Sequence, residues 1–305
     1  MPNAAWPALP YDAWKDTYET LHMWMQIVGK IRLGCMPWLN HCWQVTFYPT
    51  ARGLTTGRMP YGDESLQLDF DFIAHEFTLL TSRGERRSIA LVPMSVAAFY
   101  RAVMDALQAM RMPVPIYRRP SEVESRLPFD VDEEHHAYDP EYAQRCWRIL
   151  CSVADVFTRF RSRYYGKASP VHFFWGSFDL AVTRFSGRVA PPHPGGVPNL
   201  PDRVTRDAYS HEVSSCGFWP GGAPAPYPLF YSYAYPEPAG FADAVVQPPG
   251  ARYDPALHEF VLPYDVVREA DAPEEVLGAF LQTTYEAAAE RGNWDRSALE
   301  ASPPA

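Results

Sequence analysis

The chain has 305 residues, 47% of them hydrophobic and 14% aromatic, which is long enough to bury a large core and too apolar for disorder. A formal net charge of −9 and an isoelectric point of about 5.5 exclude binding through a broad basic surface, so nucleic acid is not expected as a partner. No stretch approaches the roughly eighteen apolar residues of a membrane span, and Met1 to Trp6 shows no basic region leading into an apolar run, so a cytoplasmic protein without a membrane partner is expected.

In chain order, Asp16 to about Leu33 reads as a helix, with Leu21, Trp24, Met25, Ile27 and Val28 at helical spacing. His22, Gln26 and Lys30 form one polar row on it at steps of four. His41 to Tyr48 reads as a strand, and Leu66 to Phe72 alternates apolar and polar residues as a half-buried strand does. Phe77–Thr81 and Arg87–Leu91 flank the polar connection Ser82–Glu85 of a hairpin. A second helix, Ser95 to Met110, begins at a capping serine.

Residues 113–140 are rich in proline and acidic residues, show no sustained period and read as a linker in which His135 and His136 are solvated. The order then returns. Glu141 to about Tyr164 is a helix, His172 to Phe178 a strand, and Ala272 to Arg291 a closing helix that opens on Pro273-Glu274-Glu275. His41 is answered by His172, and His75-Glu76-Phe77 by His258-Glu259-Phe260, with the Glu of each triplet expected in solvent and the Phe inside. The expected fold is therefore α+β, an internal duplication of a helix, antiparallel-sheet, helix unit with a pseudo-two-fold. The halves are 1–112 and 141–305, and residues 189–250 form a Pro-rich, aromatic insertion in the second copy. Loops of that length are usually functional or disordered, and this one is too aromatic for disorder.

Several groups are candidates for chemistry. His41 and His172 open equivalent strands on this reading, where a two-fold would bring them face to face as acid and base. Tyr209-Ser210-His211-Glu212 gathers a base, a carboxylate and hydroxyls inside the insertion. Asp179 among aromatics needs a partner, and Arg184 is the nearest one. Trp43, Trp175, Trp219 and Tyr209 supply aromatic walls, and the row His22, Gln26, Lys30 lines the same cavity if it faces the sheet. The five cysteines are an odd number without CxxC spacing, and the zincin, P-loop, dinucleotide and nucleophile-elbow signatures do not occur.

His172 to Leu180, Tyr209 to Glu212 and Gly217-Phe218-Trp219-Pro220-Gly221, together with Trp14-Lys15-Asp16-Thr17 and Gln26 to Lys30, resemble an uncharacterised bacterial family, the domain of unknown function 5996, over nearly the whole chain. That resemblance implies a bacterial origin and no activity.

These readings converge on an enzyme acting on a small, aromatic or apolar molecule in a cleft between the halves. His172, His211, Glu212, His41 and Asp179 are its expected catalytic groups, and Trp175, Trp43, Trp219, Arg184, Tyr209, Gln26, Lys30 and His22 its expected binding groups. One alternative is a metalloprotein holding a divalent transition metal on His41, His172 and His211 with a carboxylate. The other is a non-catalytic module binding a small molecule or a protein. No motif names a cofactor, and the sequence does not fix an oligomeric state.

Overall fold

The computed structural model describes residues 4–123, 125–197, 199–222 and 225–301; Pro198 of the proline-rich run and the outermost residues of the stretches 1–112 and 141–305 lie outside them. The first helix, α1 (Tyr11–Cys35), is longer than its periodicity suggests. It is buried on every side from Thr20 to Arg32, which places it at the centre of the molecule rather than on its surface.

After α1 the expected strand is replaced by a 3-10 turn, Asn40–Val45, in which His41 and Cys42 are both left-handed with φ of 60°. Two consecutive left-handed residues reverse the chain, and one distant and one local side chain hold them there. Asp207 Oδ2 accepts from the Cys42 N–H at 3.1 Å, and Gln44 Oε1 accepts from the Leu39 N–H at 3.0 Å. Only β1 (Tyr48–Pro49) remains as strand.

The first sheet is antiparallel, in the order β1, β2 (Gly53–Thr55), β4 (Glu64–Asp71), β5 (Glu76–Thr81), β6 (Arg86–Ala90), with β3 (Met59–Tyr61) also paired to β4. Leu66, Leu68 and Phe70 of β4 alternate inward as the sequence predicts. α2 (Val96–Ala109) follows, its first turn capped by Ser95, whose Oγ accepts from the Ala98 N–H at 3.1 Å. The described residues of 113–139 contain no helix or strand, yet they are tied to α1 and α2: Ala137 N–H donates to Thr20 Oγ1, Asp139 N–H to Thr17 Oγ1 and Ala97 N–H to Asp132 O. His135 is not solvated there. It pairs with the buried Asp132 at 2.8 Å, whose carboxylate also accepts from the Glu134 and His135 N–H groups.

α3 (Pro140–Ser162) is capped by Asp139 and buries Leu150, Val153, Val156, Phe157 and Phe160 along one face. The predicted strand from His172 to Phe178 is a strand and a turn. β7 (His172–Phe174) ends at once, residues 175–178 turn with Phe178 left-handed at φ 60°, and Asp179 opens β8 (Asp179–Val189). The second sheet runs β7, β8, β9 (His211–Trp219), β10 (Leu229–Tyr235), β12 (Glu259–Pro263), β11 (Arg252–Asp254), all antiparallel. α4 (Asp202–Ala208) lies in the insertion, and α5 (Tyr264–Arg268) and α6 (Pro273–Arg291) close the chain before a last turn, α7 (Arg296–Leu299).

Where the two sheets meet, Phe47 and Phe173 exchange backbone hydrogen bonds of 2.8 and 3.0 Å, and their rings stack at 6.4 Å. One contiguous apolar core links α1, α2, α3, α6 and both sheets. Among the described residues no helix is long and apolar enough to cross a membrane. Helices α3 and α6 cover one face of the second sheet; its other face carries the site.

Candidate functional site

Side chains on a strand alternate between faces, so Asp179, Ala181, Thr183 and Phe185 of β8 point away from α3, as do Val213, Ser215 and Trp219 of β9 and Tyr231 and Tyr233 of β10. With Glu259 of β12 they floor a cavity of about 490 Å³, a size typical of small-molecule sites. The insertion roofs it with His193, Leu200, Val204 and Tyr209. The 3-10 turn walls one side with His41, Cys42 and Trp43, and Glu122 reaches in from the middle segment.

Three carboxyl groups share this space. Asp179 accepts hydrogen bonds from the Ser177 and Tyr231 hydroxyls, and burial nonetheless raises its pKa. Tyr231 reaches it by lying across its cross-strand partner Gly217, where a Cβ would stand 2.3 Å from the tyrosine ring and hydroxyl. That glycine is required by a close approach, not by a turn. Glu259 makes no hydrogen bond or ion pair among the described residues, and burial, reinforced by the charges of Asp179 and Asp254, pushes it up to about 8. Glu122 is exposed, with its carboxyl lying beside Gly176 at the cavity. Burial first and Asp179 second push it up to about 7, against the opposing pull of Lys30. The Tyr209 and Tyr233 hydroxyls bond each other at 2.9 Å. Cys42 is no ready nucleophile, since burial pushes its thiol up to about 11.

The polar row on α1 explains how Glu122 is held. His22 Nε2 donates to the Trp175 and Gly176 carbonyls at 3.0 and 2.9 Å, and burial pushes this ring down to about 4, so it is neutral. Gln26 brackets Ser121, donating to its carbonyl at 2.6 Å and accepting from its N–H at 2.9 Å. Lys30 donates to Ser121 Oγ at 2.8 Å, and burial lowers it to about 8. The row therefore fixes two turns beside the cavity rather than lining it. Glu122 follows in a left-handed conformation (φ 63°), and its carboxylate occupies the space beside Gly176, 2.1 Å from where a Cβ would stand.

The remaining candidates separate. His41 lines the cavity, with Nδ1 donating to Asp207 O at 3.1 Å and Nε2 2.5 Å from Lys167 Nζ; burial and Lys167 lower its pKa. His211 lies with its ring 5.8 Å from that of His41 and its Nδ1 bonded to Ser210. His172 does not line the cavity. Its Nδ1 is hydrogen-bonded to Thr46 Oγ1 at 3.0 Å, and burial pushes it down to about 3. Trp43 packs against both His41 and His172, at 5.1 and 5.5 Å. Glu212 projects to the opposite face of β9, where it pairs with Arg188 at 2.6 Å.

The expected Asp179–Arg184 pair is overturned. Five residues apart on one strand, the two point to opposite faces, and the Arg184 guanidinium sits 3.5 Å from the centre of the Phe160 ring and against Tyr164 and Tyr285. Trp175 packs on Gly29 of α1 and donates Nε1 to Val45 O at 2.6 Å. Trp219 and Tyr209 line the cavity. Among the described residues no group of three His, Cys, Asp or Glu side chains is placed to hold a metal ion, so His41, His172 and His211 do not form a ligand set.

Sequence reasoning passed over Glu122, Glu259, Tyr231 and Tyr233. The tyrosines carried a signal, since Tyr231 and Tyr233 sit two apart in an aromatic strand. Glu259 was expected in solvent; that holds for its counterpart Glu76, which pairs with Arg86 at the surface at 2.9 Å, but Glu259 faces the cavity. Glu122 sits in an aperiodic stretch, and its only signal was the polar row that anchors its neighbour.

One family, described as a family of unknown function (DUF5996), matches the sequence over residues 6–301. No curated protein and no solved structure matches the chain.

Proposed function

The chain belongs to DUF5996, a family of unknown function, and we propose from the cavity itself that the protein is an enzyme performing general acid–base chemistry on a small organic molecule bound on the second sheet. One observation carries this reading: three carboxyl groups with raised pKa values, Glu122 at about 7 and Glu259 at about 8 among them, open into one aromatic cavity. A proton donor or acceptor is most effective when its pKa lies near the working pH, and desolvation by aromatic walls is a standard way to bring a carboxyl there. Glu259 is mainly protonated at neutral pH and serves as the acid. Glu122, near half-ionised, serves as the base. The Asp179–Tyr231 pair orients the bound molecule, and Trp43 and Trp219 enclose it.

The test is a carbon-13 titration of the glutamate carboxyls in the intact protein. Midpoints near 7 and 8 are expected for Glu122 and Glu259; if both titrate below about pH 5, as solvated glutamates do, the acid–base reading fails. Once a turnover assay exists, Glu122→Gln and Glu259→Gln should each lower kcat by about 100-fold or more with the fold intact.

We infer further that the halves 1–112 and 141–305 derive from one duplicated helix–sheet–helix unit, with 189–250 inserted in the second. Supporting it, each half opens on a long helix and carries an antiparallel sheet before a closing helix, with β9 and β10 of the second sheet supplied by the insertion. The two His-Glu-Phe triplets also enter their strands alike: Asp71 Oδ1 caps the Ile73 and Ala74 N–H groups as Asp254 Oδ1 caps those of Ala256 and Leu257, and His75 and His258 are both left-handed.

A further inference from the structure

We propose that the molecule bound in this cavity is an organic cation, an amine or quaternary ammonium carrying an aromatic or apolar body. The proposal rests on the reading of the cavity as a small-molecule site and names its charge class. Asp179, Glu122 and Glu259 line the cavity, and among the described lining residues there is no lysine or arginine. Glu122 and Glu259 have no hydrogen-bond or ion-pair partner among the described residues, so their charge is left for something that enters.

The nearby lysines are already engaged. Lys30 Nζ bonds Ser121 Oγ and lies over the Tyr117 and Trp175 rings. Lys167 Nζ lies 2.5 Å from His41 Nε2 and over the rings of Trp43 and Phe185. An anion entering the cavity would meet three acids. It would also find the tyrosine hydroxyls largely committed, Tyr231 to Asp179 and Tyr209 and Tyr233 to each other.

The rest of the lining suits a cation equally well. Trp43, Trp219, Tyr231 and Tyr233 present aromatic rings to the enclosed space, and a desolvated cation over such faces gains up to about 2 kcal/mol from the ring quadrupole. A hydrophobic body would cover Phe174, Val213 and Leu229 on the same lining.

Binding of a cation is coupled to protons. The carboxyls attract it only when ionised, so each proton that Glu122 or Glu259 holds must leave first, and affinity should rise with pH through about 7 to 8. Other ionisable groups face them: Asp179 from β8, whose pKa is also raised, Lys30 from α1, His41 from the 3-10 turn, His193 and Tyr209 from the insertion, Tyr231 and Tyr233 from β10, and Asp254 behind Glu259. Loss of a His41 proton would weaken cation repulsion over a lower range, since its pKa is depressed. The rise between pH 7 and 8 belongs to the cavity carboxyls, and the two Glu→Gln variants separate the glutamates' shares from that of Asp179.

The experiment is calorimetric titration of the intact protein with four probes of one size: benzyltrimethylammonium, phenethylamine, neutral 2-phenylethanol and anionic phenylacetate. Both cations should bind at least about tenfold more tightly than the alcohol, with phenylacetate weakest. The affinity for benzyltrimethylammonium, whose own charge is fixed, should rise about tenfold between about pH 6 and pH 9 with release of protons to the buffer. Glu259→Gln, which keeps the side-chain shape, should remove much of that rise, and Glu122→Gln serves as a second variant should the first not fold. The proposal is overturned if the alcohol or phenylacetate binds as tightly as the cations, if neither cation binds up to about 10 mM, or if cation affinity does not change with pH. High carboxyl midpoints without a preference for cations would sink this inference alone, whereas ordinary midpoints would sink the acid–base reading.

Discussion

Glu76 and Glu259 occupy the same place in two identical His-Glu-Phe triplets, yet physics treats them differently. Glu76 is paired with Arg86 at the surface, where an ion pair contributes little. Glu259 is held at about 8 instead of 4.5 by burial and by Asp179 and Asp254. Between those two values the folded chain keeps a proton that the unfolded chain has released, so stability is full below pH 4.5 and falls as pH rises towards 8. Glu259→Gln should therefore leave stability at pH 4.5 unchanged and raise it by about 3 kcal/mol at pH 9, discounted from the full shift because the side chain is partly accessible. Glu76→Gln should stay within about 0.5 kcal/mol at both ends. Urea denaturation at the two pH values checks this, and equal behaviour of the two variants would show that Glu259 ionises freely. No reading of the triplet alone distinguishes the two residues, because the difference lies in what the neighbouring strands bring alongside.

At the scale of elements, two glycines decide what packs where. Gly29 lets α1 lie against Trp175, and a Cβ there would stand 2.2 Å from an indole that is anchored through Nε1 to Val45. The ring cannot swing away, so Gly29→Ala should cost about 2 kcal/mol or more in thermal or urea unfolding. Gly217→Ala meets instead the far end of the Tyr231 ring, which borders the cavity and can shift into it. That variant should fold but break the Tyr231–Asp179 hydrogen bond, at a cost of about 1 to 2 kcal/mol because Asp179 is buried; a crystal structure in which the bond survives would refute the argument. The helices were legible because periodicity and a cap such as Ser95 are local signals. The segments that shape the site were not. His41–Val45 reads as strand, yet it is turned by Asp207, which stands 165 residues away in sequence. His172–Phe178 reads as one strand until Gly176 and a left-handed Phe178 turn it, with His22 of α1 holding the carbonyls. In both places a long-range hydrogen bond overrides the local pattern.

For the whole molecule, the buried groups predict the shape of the stability curve against pH. His22 and His172 are held neutral in the fold, at about 4 and about 3 against 6.5. The unfolded chain binds their protons first as pH falls below 6.5, so stability is lost on the acid side, and the depressed Asp132 adds to that loss. Glu122 and Glu259 act in the opposite direction from 4.5 to about 7 and 8, and the raised pKa of His135 adds to the loss above 6.5. From 4.5 to 6.5 the depressed histidines, His41 and His75 among them, and the raised carboxyls, Asp179 among them, oppose each other and largely cancel, with the share of the exposed Glu122 reduced by solvent screening. Stability should therefore hold a plateau over that interval and fall on either side. Above about 8 the depressed Lys30 restores part of the alkaline loss, because the unfolded chain then holds a proton that the folded chain lacks. Removing both glutamates as a Glu122→Gln/Glu259→Gln double variant should convert the plateau into a continued rise up to pH 6.5 and shift the maximum to the alkaline side. Urea midpoints across this range measure it. A double variant that keeps the wild-type fall above pH 6.5 would mean that the cavity carboxyls are ionised at neutral pH, which would remove the basis for proton transfer at this site.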